Sequence, residues 1–147
     1  MIKNFEGFKF KEVERCKTDQ VWLWLLYEGG DADTRHPEEI SLGIRYSEID
    51  EHADEIKDII EKYKRLKKVL DCGSYGGRIR SRRINGEYRN VISNRGGRPD
   101  VEIEDDLQDL VDCAPNDPQN DFQDKCYLSS MKLIAYDIEG NKHEAYI

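Results

Sequence analysis

Three features of the sequence predict an α+β fold, a mostly antiparallel sheet of several short strands and two hairpins packed against one long helix near residues 47–71. Short runs alternate apolar and charged residues, the period of a half-buried strand. Between Ser47 and Leu70 the apolar residues instead follow helical spacing. Two turn signals, Asn85-Gly86 and Glu139-Gly140-Asn141, each separate a pair of such runs. At 147 residues the chain is expected to form a single domain, residues 1–147. Its hydrophobic fraction is only 37%, but the apolar residues are gathered into patterned runs, which argues for a folded core.

Taken in order, Phe8-Lys9-Phe10-Lys11 reads as a first strand. Val21-Trp22-Leu23-Trp24-Leu25-Leu26-Tyr27 is continuously apolar and of strand length, which places it centrally in the sheet, with both tryptophans in the core. Gly29 to Pro37 reads as an acidic loop, and Leu42, Ile44 and Tyr46 as a third short strand. Ser47 occupies an N-cap position with Asp50 at the capping-box site. Ile49, Ala53, Ile56, Ile59, Ile60, Tyr63, Leu66 and Leu70 then form the apolar stripe of the helix. Acids fill its first half and bases its last turns, which suits the helix dipole, and Gly73 supplies the stop.

After a flexible Ser74–Gly77 connector comes the Asn85-Gly86 hairpin. Pairing Ile84 with Glu87 puts Arg78, Arg80, Arg82 and Arg89 on one face with Ile84 and Val91. Ile79, Arg83, Tyr88 and Ile92 fall on the other, which is expected to pack on a core. Val101 and Ile103 alternate with acids, and Leu107, Leu110 and Val111 predict a short helix. In the C-terminal hairpin, pairing Glu139 with Lys142 gathers Ile134, Tyr136, Ile138, Ala145 and Ile147 on one face, with His143 inward.

Charge is sorted into blocks. Lys62 to Arg98 holds twelve basic residues against Asp71 and Glu87, in a chain of net charge −8. Asp100 to Asp124 then holds ten carboxylates and no Lys or Arg. Such sorting bears on partners more than on fold. The arginine hairpin offers planar donor forks that match phosphate oxygens, at the same-face spacing of a strand, about 6.5–7 Å. Arg78, Arg80, Arg82 and Arg89 are therefore the expected contacts to an anionic ligand, a nucleic acid or a nucleotide. Tyr75 and Tyr88 are placed to stack on a base, and Lys64, Lys67 and Lys68 extend the patch from the helix end. Against this stands internal pairing of the arginines with the acidic block.

The alternative reading is a protein-binding inhibitor. In it Asp100, Glu102, Glu104, Asp105, Asp106, Asp109 and Asp112 mimic nucleic acid and block a basic groove on a nucleic-acid enzyme of host defence. A compact, charge-polarised chain without motifs has the style of phage or mobile-element accessory proteins. Contact between the acidic and basic blocks of different copies would give a homo-oligomer.

No catalytic motif stands out, and the expectation is a non-enzymatic protein with no cofactor and no metal. The acidic loops lack the residue order of a calcium-binding loop. The glycines after Cys72 follow a helix where a phosphate loop precedes one. Cys16, Cys72, Cys113 and Cys126 stand apart with no CxxC pair and read as reduced thiols. The N-terminus lacks a signal-peptide core, and no apolar run is long enough to cross a membrane. A cytoplasmic protein is expected.

Overall fold

The computed structural model describes residues 17–30, 33–72, 77–94, 96–118 and 125–147. The expected strand at Phe8–Lys11, the Gly73 stop and Cys16 lie outside these residues. The fold is α+β, with one long helical stretch, a short helix and two antiparallel sheets where the sequence predicted one. The strands are β1 (Gln20–Glu28), β2 (Arg35–Ser41), β3 (Arg78–Ile84), β4 (Glu87–Ser93), β5 (Val101–Glu102), β6 (Tyr127–Tyr136) and β7 (Lys142–Tyr146). The α-helices are α1 (Ala53–Asp71) and α2 (Gln108–Cys113). One sheet has the order β2-β1-β6-β7 and the other β3-β4-β5. No described helix is long and apolar enough to cross a membrane.

The chain divides into two compact units. One is drawn from Met1–Trp24, Glu39–Lys57 and Met131–Ile147, the other from Leu25–Glu38 and Asp58–Ser130. In the first, Val21, Leu23, Ile44, Ile56, Met131, Ile134, Ala135 and Tyr136 are buried. Trp22 and Trp24 alternate with these residues on β1 and are only half-buried, which corrects their expected core placement. Each instead carries an ammonium group over its ring, Lys17 at 4.7 Å from Trp22 and Lys132 at 4.5 Å from Trp24. The indole faces attract the cations and the lysine stems cover the rings.

The expected strand at Leu42–Tyr46 is absent. The strand lies upstream in β2, which includes Pro37. That position is an edge of its sheet, where a residue with no N–H to donate is tolerated. Ser47 is not an N-cap. It lies inside a 3-10 turn, Tyr46–His52, that precedes α1. Its N–H and hydroxyl both donate to the Asp19 carboxylate, at 2.8 and 3.0 Å, so an acid remote in sequence satisfies an orphan donor of the first turn.

The C-terminal hairpin also departs from expectation. Tyr136 pairs with Lys142, and Ile134 with Glu144, so Ala145 does not share a face with Ile134 and Tyr136. Asp137 sets this register. Its carboxylate accepts the N–H groups of Glu139 and Asn141, each at 2.9 Å, and its own N–H donates to the Asn141 carbonyl at 3.0 Å. A loop wider than a two-residue turn results, with Gly140 at φ +86°. His143 is exposed. It contacts Asp137 at 3.1 Å and stacks on Tyr46 with ring centroids 5.2 Å apart.

The second unit buries Leu25, Leu26, Tyr27, Tyr63, Leu66, Leu70, Val91, Ile103, Leu107, Val111 and Leu128. Tyr63, Leu66 and Leu70 recur at helical spacing along α1, as the stripe predicts. The expected short helix after Ile103 is α2, entered through a 3-10 turn at Asp105–Leu107.

Hydrogen bonds to the His143 ring and to backbone N–H groups hold the Asp137 carboxyl down to about 2, from 3.8. A carboxyl depressed in the folded state stabilises it above its unfolded value and loses that contribution as pH falls through the folded one. The thermal-stability gap between the wild type and Asp137→Asn should therefore be present near pH 5 and close as pH falls towards about 2. Melting curves across that range check it.

Candidate anion-binding hairpin

In the β3–β4 hairpin the turn residues Asn85 and Gly86 have φ of 52° and 85°, both positive as a type I′ turn requires. The register is the expected one, Ile84 opposite Glu87, Arg83 opposite Tyr88, Arg82 opposite Arg89 and Arg80 opposite Val91. Arg78, Arg80, Arg82 and Arg89 accordingly share a face with Val91.

Burial does not follow the expected division of faces. Val91, on the arginine face, is buried, while Tyr88, on the face expected to meet a core, is 76% exposed. Burial runs along the hairpin instead. β5 pairs only with Val91 and Ile92, and α2 is bonded to Asn90. The base is therefore flanked, and the tip from Arg83 to Tyr88 is reached by neither element. β3 is an edge strand of its sheet.

The two charge blocks meet within this unit. Asp100 accepts from Arg82 Nε at 2.8 Å. Asp105 pairs with Arg89, and Arg65 on α1 pairs with both Glu104 and Asp106, the latter at 2.7 Å. The Arg65 hydrogen bond pulls the Asp106 carboxyl below its usual range, and the same bond raises Arg65. Asp105 likewise raises Arg89. Most of these side chains are exposed, Arg89 and Asp100 being half-buried, and ion pairs in such positions contribute little to stability.

What lays the acidic segment here is a clamp on β4. Asn90 is 7% exposed. Its N–H donates to Gln108 Oε1 at 2.7 Å, and its carbonyl accepts from Gln108 Nε2 at 3.0 Å. The Gln108 amide thus continues the β4 ladder where β5 has ended. Asn90 Nδ2 also donates to the Gln108 carbonyl at 3.2 Å and to Asp112 Oδ1 at 2.8 Å.

The expected ligand contacts therefore fall into groups. Arg82 and Arg89 are held by carboxylates, and Arg78 has a partner of its own. Lys67 pairs with Asp71 at 3.2 Å on α1. Arg80, Lys64 and Lys68 are exposed and have no ion-pair partner among the described residues. Tyr75 lies outside the described residues. Arg83 is not among the ligand contacts expected from the sequence. It is exposed, equally unpaired among the described residues, and directly across from Tyr88. The period-two register that opposed it to Tyr88 was signal enough.

Beside the hairpin an open groove of about 640 Å³ is lined by Ile79, Arg80, Ser81, Asn90, Asp112, Asn116 and Lys125. Lys125 donates to the Ala114 carbonyl at 3.1 Å. For metals, Glu48, Glu51 and His52 bring possible ligand atoms within 4.8 Å of one another, on the surface of the 3-10 turn. Cys72, Cys113 and Cys126 carry free thiols. Burial pushes the Cys126 thiol up, which favours its inert form.

No protein-family model matches this chain, and no curated protein or solved structure matches it either.

Truncating Asn90 leaves the Gln108 and Asp112 groups short of a partner in a half-buried site. Asn90→Ala should cost about 1–3 kcal/mol in urea denaturation. Gln108→Ala, which removes the bonds of its amide to the Asn90 and Ile103 backbone, should cost a similar amount.

Proposed function

We propose that the protein is a small non-enzymatic binding protein that takes an anionic ligand, of the nucleic-acid or nucleotide class, on the β3–β4 hairpin. The observation that carries this reading is a pair of open arginines, Arg80 on the edge strand β3 and Arg83 at the tip of the hairpin. Arg80 and Arg83 are solvent-exposed and without a carboxylate partner among the described residues, and Tyr88, 76% exposed, lies across from Arg83. Guanidiniums bind phosphate oxygens through paired donors, and an exposed ring offers a face for a base. An exposed aromatic side chain at the end of a ribbon contributes nothing to the core and is available for contact. The net charge of −8 opposes unspecific coating of duplexes and favours a short strand or a defined site. In this reading the protein acts in the cytoplasm, in the manner of a phage or mobile-element accessory protein.

The alternative, an acidic surface that mimics nucleic acid, has less support. Asp100, Glu104, Asp105, Asp106 and Asp112 already serve internal partners, which leaves Glu102 and Asp109 as the more open carboxylates of that set.

Fluorescence anisotropy with labelled single-stranded RNA, single-stranded DNA and a labelled nucleotide tests the reading at about 50 and 200 mM salt. Binding should weaken with salt, fall at least about tenfold in Arg80→Glu/Arg83→Glu, and weaken in Tyr88→Ala by about 1–3 kcal/mol. No binding at either salt contradicts the proposal.

A further inference from the structure

We propose that the acidic segment Asp100–Asp106 is an internal stand-in for the ligand, and that the ligand itself is an extended polyanion, a single-stranded nucleic acid, which displaces these carboxylates from the arginines they cover. The inference rests on the anion-binding reading of the hairpin and narrows its ligand class.

The carboxylates are spread along the chain, as charges on a linear polymer are. Asp100 holds Arg82 on β3, Asp105 holds Arg89 on β4, and Glu104 with Asp106 holds Arg65 on α1. Three guanidiniums from three elements are thus served by one run of backbone. A compact anion such as a mononucleotide presents its phosphates at one point, enough for the directly opposed Arg82 and Arg89 but not for Arg65 on α1 as well. An extended strand of phosphates replaces several at once, and multivalent replacement is what makes displacement favourable.

Displacement is physically undemanding. Asp105 is 88% exposed and Glu104 is 61% exposed, so their pairs are of the weak, screened kind. The backbone need not move for the side chains to leave. The segment is fixed at one end by the pairing of Val101 and Glu102 with β4, and at the other by the Gln108 amide on Asn90. Carboxylates can swing away while the segment stays in place. Arg83 and Tyr88 at the tip, with the unpaired Arg80 on the edge strand β3, then provide the first contact, and the covered arginines the extension.

The consequence is a gain of affinity on removing negative charge at these residues and not elsewhere. In Asp100→Asn/Asp105→Asn/Asp106→Asn, a labelled single-stranded oligonucleotide should bind up to about tenfold more tightly than to wild type at about 50 mM salt. Glu51→Gln/Asp54→Asn/Asp58→Asn removes the same charge from exposed helical positions and should give a much smaller gain. A labelled mononucleotide, which reaches only part of the freed set, should gain clearly less than the oligonucleotide. Circular dichroism establishes that both variants are folded, and a misfolded triple variant is replaced by Asp105→Asn alone, which frees Arg89. Oligonucleotide binding that is lost in Arg80→Glu/Arg83→Glu but does not rise in the Asp100/Asp105/Asp106 variant overturns the inference and leaves the hairpin reading intact. Equal gains in the helical control overturn it in the same way. A mononucleotide gain as large as the oligonucleotide's, or equally tight binding of poly-glutamate, overturns the ligand class. Absence of oligonucleotide binding in every protein overturns both proposals.

Discussion

The side-chain amide of Gln108, bonded to both backbone groups of Asn90, is the contact on which the arrangement of the second unit turns. A backbone N–H and carbonyl in a half-buried position have to be satisfied. β5 is too short to reach Asn90, since its pairing ends at Val91 and Ile92. Gln108 completes the ladder from a side chain, and in doing so fixes where residues 103–107 run. Ile103, Leu107 and Val111 are buried along that path, so apolar burial and the amide clamp draw the acidic segment to the same place. The carboxylates then lie over the guanidiniums as a result of backbone placement. Their pairing is too exposed to have dictated it.

What holds the segment is thus separate from what its charges touch, and the proposed displacement depends on that separation. Stability in this unit is carried by the buried apolar groups and by the Asn90 network, which involve no exposed ion pair. The ion pairs can therefore be exchanged for others without unfolding anything. In the reading proposed above, a chain with a strongly basic stretch and a net charge of −8 keeps its arginines neutralised and still presents them to a stronger competitor. The tip of the hairpin remains outside the covered region because only its base is flanked by β5 and α2.

Much of the fold was legible because local rules decided it. The α1 stripe, with acids early and bases late, required no tertiary information, and Asn85-Gly86 fixed both turn type and register. Other elements were decided by partners far away in sequence. Ser47 has the local sequence of a cap, and nothing local shows that Asp19 takes its hydroxyl. Trp22 and Trp24 read as core because periodicity cannot foresee Lys17 and Lys132 lying over their rings. The Glu139-Gly140-Asn141 turn was mis-registered because Asp137, just before it, captures two backbone N–H groups. At the site, both charge blocks and the opposition of Arg83 to Tyr88 were visible in the sequence. Which arginines the acids would cover depended on Gln108, a residue with no local signal at all.

The most direct measurement is the side-chain N–H spectrum of the arginines by solution NMR. Arg82 Nε donates to Asp100 at 2.8 Å, whereas Arg80 and Arg83 have no such acceptor among the described residues. The account predicts a shifted, slowly exchanging Arg82 Nε–H that moves to the position of the Arg83 resonance on Asp100→Asn, with Arg83 itself unmoved. An Arg82 resonance that already coincides with that of Arg83 in the wild type, and ignores Asp100→Asn, would contradict it.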